Sequence, residues 1–147
     1  MIDIVPEFVP DTARLANIFH TATAPTFFLG AVAGFASLMT SRMSAAMERV
    51  RALNAIREDD LDRAHLRNDR TRLLRRAELL KDGIFSALVA GVFATLLLAI
   101  LFLTEFLGLK YAYGAAFLFI FATFFLGRAL VKFAREVSIS LDEPDRY

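Results

Sequence analysis

Between Gly83 and Thr104 the chain runs for 22 residues without a single charged side chain. At about 1.5 Å per helical residue this run measures about 33 Å, enough to cross a hydrocarbon layer of roughly 30 Å. Two more uncharged stretches accompany it, Leu15 to Ser41 and Tyr111 to Gly127. The first is interrupted by Pro25. The second is short, but reaches full length when Arg128 and Lys132 snorkel at its end. A buried helix in a soluble protein could imitate one such run, hardly three. The 56% hydrophobic fraction and mean hydropathy of +0.49 agree, being high for a soluble chain. With 147 residues the chain makes at most one domain. The expected fold is all-α: an integral membrane protein of three helices.

The stretch Ala24 to Leu53 organises the rest. It starts uncharged and rich in small residues, then turns basic at Ser41-Arg42 with neither Pro nor Gly to break it. Pro25 suits the first position of this helix, where its missing N–H costs nothing. A short interfacial helix over Thr12 to His20, capped by Asp11, is expected before it, with Leu15, Ile18 and Phe19 on one face. Beyond the apolar part, Met39, Met43, Ala46, Val50 and Leu53 form a heptad seam. The acidic run Glu58 to Asp62 suits a turn, and a second seam follows at Leu66, Arg70, Leu73, Ala77, Leu80 and Ile84. Two seams joined by a short turn predict an antiparallel helical hairpin.

The predicted order is an interfacial segment over 1–24, a first span over 25–41, a hairpin over 42–82, spans over 83–104 and 111–131, and a tail over 132–147. Gly83 is expected to open the second span. Glu105 to Lys110, with Gly108, forms the turn between spans two and three, and Tyr111 and Tyr113 sit at the interface beyond it. Residues 42–81 hold eleven Lys/Arg and the part from Arg128 holds four, against Arg14 and Lys110 alone elsewhere. The positive-inside rule then places the hairpin and C-terminus in the cytoplasm and the N-terminus outside. No cleavable signal is expected, since the first residues carry Asp3, Glu7 and Asp11 and no basic segment.

Several short patterns carry a resemblance: Ala24-Pro25, Arg42, Glu48-Arg49-x-Arg51-x-Leu53, Leu73-Leu74-Arg75-Arg76 and Arg135-Glu136-Val137. With these the chain resembles, over most of residues 15–140, a family of small bacterial three-span membrane proteins catalogued as a domain of unknown function. The resemblance implies a three-helix membrane fold with a cytoplasmic helical insertion, in a bacterial inner membrane. It implies no activity and no catalytic residue.

Candidate sites come from faces rather than motifs. Thr26, Gly30, Ala33, Ser37, Thr40 and Ser44 lie along one side of the first span, opposite the bulky Phe28, Val32, Phe35 and Met39. Such a face is either a close helix contact, as Gly30 and Gly34 would allow, or a pore wall. Gly83, Ala87, Gly91, Thr95 and Ala99 recur every four residues and are expected to pack helices closely. Phe117, Phe119, Phe121, Phe124 and Phe125 are expected to face lipid or pack. Arg42, Arg49, Arg75, Arg76, Lys81, Arg128 and Lys132 are candidates for an inner mouth or for anionic lipid headgroups. Glu58, Asp59, Asp60 and Asp62 could ligate Ca²⁺ or Mg²⁺, but lack the spacing and central Gly of an EF-hand, and helix capping explains them more simply.

The absence of Cys rules out thiol catalysis and thiolate metal sites, and the two His are 45 positions apart. No ionisable residue lies mid-span, no phosphate loop or nucleophile elbow is present, and the basic segment is mixed with acids and has no base-reading motif. Neither an enzyme, a cofactor nor a nucleic-acid partner is expected. Two classes stay open: a homo-oligomeric ion channel lined by the first span, and a non-conducting scaffold whose hairpin docks a partner or anionic lipid.

Overall fold

The computed structural model of the protein describes residues 12–55, 68–108 and 112–141. They form three helices, α1 Thr12–Asn54, α2 Asn68–Leu107 and α3 Ala112–Leu141, with no strand among the described residues. Each is long and apolar enough to cross a membrane. The 43 residues of α1 and 40 of α2 measure about 64 Å and 60 Å, twice the hydrocarbon thickness. Both therefore continue past the apolar layer, α1 from Ser41 onward and α2 through residues before Gly83. These two polar halves are the predicted antiparallel stalk. The Glu58–Asp62 turn, with Arg63 and Leu66, lies outside the described residues.

The middle helix is α2, which packs along both of its neighbours. Its antiparallel register with α1 is marked by Gly83 beside Met39 and Gly91 beside Val32. Its register with α3 is marked by Phe93, which stacks on Phe121 and Phe125 at centroid distances of 5.5 and 5.7 Å. Helices α1 and α3 reach each other through aromatic side chains. Phe28 meets Phe119, and Phe35 meets Phe133 edge-on at 5.2 Å.

Burial recurs every seven residues, close to two helical turns, so one seam of each helix stays turned inward. On α1 the buried set includes Pro25, Val32, Met39 and Ala46; on α2 Leu73, Leu80, Ala87 and Ala94; on α3 Ala122, Ala129 and Glu136. Of the two seams read from the stalk, Met39, Ala46, Val50, Leu73, Ala77 and Leu80 are buried and Met43, Leu53 and Ile84 half-buried, but Arg70 is exposed, its charge keeping it at the surface.

Two boundaries differ from expectation. The structure has no break at Pro25: α1 starts at Thr12 and runs through the proline. Pro25 removes the N–H that would bond the Thr21 carbonyl. Nearby, the hydroxyls of Thr21, Thr23 and Thr26 donate to the carbonyls of Asn17, Phe19 and Ala22 at 2.8–2.9 Å. None of the three reaches the Thr21 carbonyl, so these bonds line the helix around the proline without replacing the bond it removes. Gly83 likewise opens nothing, because α2 runs unbroken from the stalk into the span.

The small-residue column on α2 also has a different register. Gly83 and Ala87 are buried, but the column continues through Ala90 and Ala94, while Thr95 and Ala99 are exposed. A step of four residues turns about 40° too far, so a strict four-residue column drifts off the contact face, whereas steps of four and three hold it. The column's effect is local. A Cβ built on Gly83 would lie 3.5 Å from Lys132 Cβ and 3.6 Å from the Ala129 carbonyl oxygen, so α2 and α3 approach closely there.

Candidate functional site

The polar end of the bundle is pinned by one carboxylate. Glu136 on α3 is fully buried, although it lies on a helix whose outer face is largely exposed. Arg42 of α1 donates from Nε to Glu136 Oε2 at 3.0 Å and from Nη2 to Oε1 at 3.3 Å. Arg76 of α2 donates from Nε to Oε1 at 3.0 Å, and its Nη2 lies 2.9 Å from the same oxygen. One side chain from each helix thus meets at a single point. Burying an ion costs several kcal/mol unless it is paired and its lone pairs are bonded; here two guanidinium groups meet the two oxygens through three hydrogen bonds and a fourth close contact. The Arg42 guanidinium also stands 5.6 Å from the Phe133 ring centroid. Around this knot Lys132 pairs with Asp82 at 3.1 Å, and Arg72 donates to the carbonyl of Ile139.

The seven basic candidates therefore separate. Arg42 and Arg76 are bound to Glu136 and Lys132 to Asp82. Arg42 points toward α3, away from the Ser37 side of α1, so the structure does not bring it together with the small face. Arg75, Lys81 and Arg128 are exposed and make no ion pair among the described residues. Arg49 is exposed and interacts with a neighbour.

The six small-face residues do fall together. Thr26, Gly30, Ala33, Ser37, Thr40 and Ser44 are all exposed along α1, while Val32 and Met39 are buried and Phe28 and Phe35 are half-buried. A Cβ at Gly30 or Gly34 would meet nothing within 4 Å, so Gly34 does not pack within this chain. Gly30, Ser37, Ser44 and Arg51 stand seven apart on this face, and Arg51 is exposed at its polar end. The other outer surfaces differ in kind: Phe85, Leu88, Val92 and Leu103 on α2, and Phe117, Ile120, Phe124 and Val131 on α3, all exposed.

An open apolar groove of about 420 Å³ runs between α1 and α2, lined by Leu29, Val32, Ala33, Ala36, Leu88, Gly91, Val92, Thr95 and Leu96. At the end remote from the stalk, Arg14 reaches Glu105. Its Nε lies 3.4 Å from the carboxylate, and its Nη2 donates to the Glu105 carbonyl at 2.7 Å. Gly108 closes α2 with a positive φ of 67°. No group of three or more His, Cys, Asp or Glu that could hold a metal occurs among the described residues; Glu58, Asp59, Asp60 and Asp62 lie outside them.

Glu136, Asp82 and Glu105 were not among the candidates. Glu136 stands in the Arg135-Glu136-Val137 pattern, but its partners are 94 and 60 residues away. Its one local sign is position: a carboxylate seven residues past Ala129 and fourteen past Ala122, on the seam of small buried residues.

Three long apolar helices, two continuing into a polar stalk, define a multi-pass membrane protein of all-helical fold. The chain matches, over residues 22–145, the family described as protein of unknown function DUF2721, and it belongs to that family. No curated protein and no solved structure matches it.

Proposed function

We propose that this is a non-catalytic, homo-oligomeric protein of the bacterial inner membrane in which the small face of α1 turns toward a shared axis and lines an ion pathway. The observation that carries this reading is the contrast between outer surfaces. The exposed surfaces of α2 and α3 are dominated by Phe, Leu, Ile and Val, whereas one continuous face of α1 presents Gly, Ala, Ser and Thr, with Phe27 and Leu38 exposed on other sides of the helix. Small hydroxyl-bearing faces in membranes meet other helices or water. The stalk lies in the cytoplasm in this reading, supported by the Lys/Arg bias between the loops. Arg51 is then the fixed cation in line with the path, in the place first expected for Arg42.

A second reading has its own support. The hydroxyls of Thr26 and Thr40 already donate to carbonyls of their own helix at 2.8 Å, and the space over Gly30 and Gly34 admits a neighbouring backbone. Those features suit a dry contact between copies and a scaffold whose stalk docks a partner. One experiment separates the two. The chain has no Cys, so Ser37→Cys introduces a sole thiol. In a reconstituted bilayer a conduit predicts that a small water-soluble thiol reagent modifies Cys at this position and blocks current. An unreactive thiol in a protein that conducts under neither voltage nor tension leaves the scaffold reading.

A further inference from the structure

The groove between α1 and α2 leads to a free cation, and we infer that it seats one anionic phospholipid, with an acyl chain along the groove and the headgroup phosphate on Lys81. The seat borders the proposed pathway face at Ala33, Thr40 and Ser44, but its test reads retained lipid rather than current or Ser37 reactivity, so the two can fail separately. Lys81, Leu88 and Thr95 stand seven apart on α2 and so share a face. Leu88 and Thr95 line the groove, which places Lys81 about 10 Å further along the same face, toward the polar end. The contact between Gly83 and Met39 sets the level on α1: Lys81 stands opposite the turn holding Thr40, Ser41 and Ser44, all exposed hydroxyls. The groove is open because small residues, Gly91, Ala33 and Ala36, stand among the larger Leu29, Val32, Leu88 and Leu96 that line it.

Charge selects the lipid class. Arg42 and Arg76 are both engaged by the buried carboxylate of Glu136, and Lys132 by Asp82, so none of these three presents an unpartnered cation to the groove. Lys81 is exposed and has no ion pair among the described residues, not even with Glu78 one turn away. A phosphate diester with net negative charge supplies the missing counter-ion, and its acyl chain covers apolar surface that α1 and α2 leave open. A zwitterionic lipid fits the groove equally well but brings its own cation to the same spot.

The test uses the full chain, purified and reconstituted with equal phosphatidylglycerol and phosphatidylcholine, with retained lipids counted by native mass spectrometry. The parent is expected to retain one phosphatidylglycerol per chain in preference to phosphatidylcholine. Lys81→Gln should lower that preference about fivefold, the share of one cation near a membrane surface. Thr95→Phe, an exposed substitution that obstructs the groove, should lower retention of both lipids, with helicity and thermal stability unchanged. Arg75→Gln, exposed but off the shared face, should change neither. Equal retention of the two lipids by the parent, or equal loss from Lys81→Gln and Arg75→Gln, would overturn the site. So would displacement of phosphatidylglycerol by excess inorganic phosphate, which marks a free-anion site. A Val92→Cys variant that crosslinks between copies in the presence of phosphatidylglycerol would show a second chain in the groove instead, and also overturn it.

Discussion

The two ends of this bundle are both tied by arginine to carboxylate, and the ties differ in almost every physical respect. At the polar end Glu136 is fully buried, held by two arginines through four short contacts, and joins all three helices. At the other end Arg14 and Glu105 have side chains 49% and 37% exposed, meet at 3.4 Å, and join two helices. An exposed pair exchanges one good hydration for another and is worth about 0–1 kcal/mol. A buried pair adds little over an apolar substitute, but removing one partner strands a charge at a cost of about 3–5 kcal/mol. The ends therefore differ most in what happens when they are broken.

The largest effect should follow Glu136→Ala, which leaves Arg42 and Arg76 facing each other without a counter-charge. A loss of about 3–5 kcal/mol is expected in a denaturant titration of the reconstituted protein. Replacing all three partners together (Arg42→Met, Arg76→Met, Glu136→Leu) should recover most of it; a triple variant as unstable as the single one would mean that the pairing itself stabilises. Next comes Gly83→Leu, just beyond the knot, where the new side chain must push against Met39 and the Ala129 backbone. Overpacking of this kind costs about 1–3 kcal/mol, and a smaller loss would show that α2 and α3 separate easily.

Asp82→Asn should cost less, about 0.2–1 kcal/mol, because Asp82 is nearly half exposed in its pair with Lys132. Smallest is Arg14→Ala, expected to cost under about 1 kcal/mol. Raising salt to 1 M, where the Debye length is about 3 Å, should erase the effect of the charge on Arg14 while leaving the Glu136→Ala penalty standing. A salt-sensitive penalty at Glu136 would put water at the knot and end the contrast.

How legible all this was depends on the range over which each interaction acts. The spans were readable because length and lack of charge are properties of a continuous run, as from Gly83 to Thr104. The stalk seams were readable because period is local, and Met39, Ala46, Leu73 and Leu80 are indeed buried. Pro25 misled because its fixed φ suits any helical position as well as the first, and inside a long helix it removes only the one bond to the Thr21 carbonyl. The four-residue column misled by drifting from Gly91 to Thr95 where Ala90 and Ala94 take the inside. The six small-face residues of α1 lie exposed together, since positions at steps of three and four share a side in any helix, and that says nothing of what the face meets. Glu136 was out of reach: nothing near it in the chain announces that Arg42 and Arg76 will converge on it.

That separation has a consequence in time. Arg76 is made 60 residues before the carboxylate it needs, and Arg42 94 residues before. At roughly 5–20 residues per second, roughly 3–12 s pass between Arg76 and Glu136 on the ribosome. Through that interval the first two helices can pair along their apolar seam, but two guanidinium groups stay directed at a position the last helix has yet to fill. A chain arrested before α3 keeps an uncompensated double positive charge at the membrane boundary. Arrival of Glu136 supplies the one carboxylate both arginines bind, so the last helix to be made brings the counter-charge that ties the first two to it.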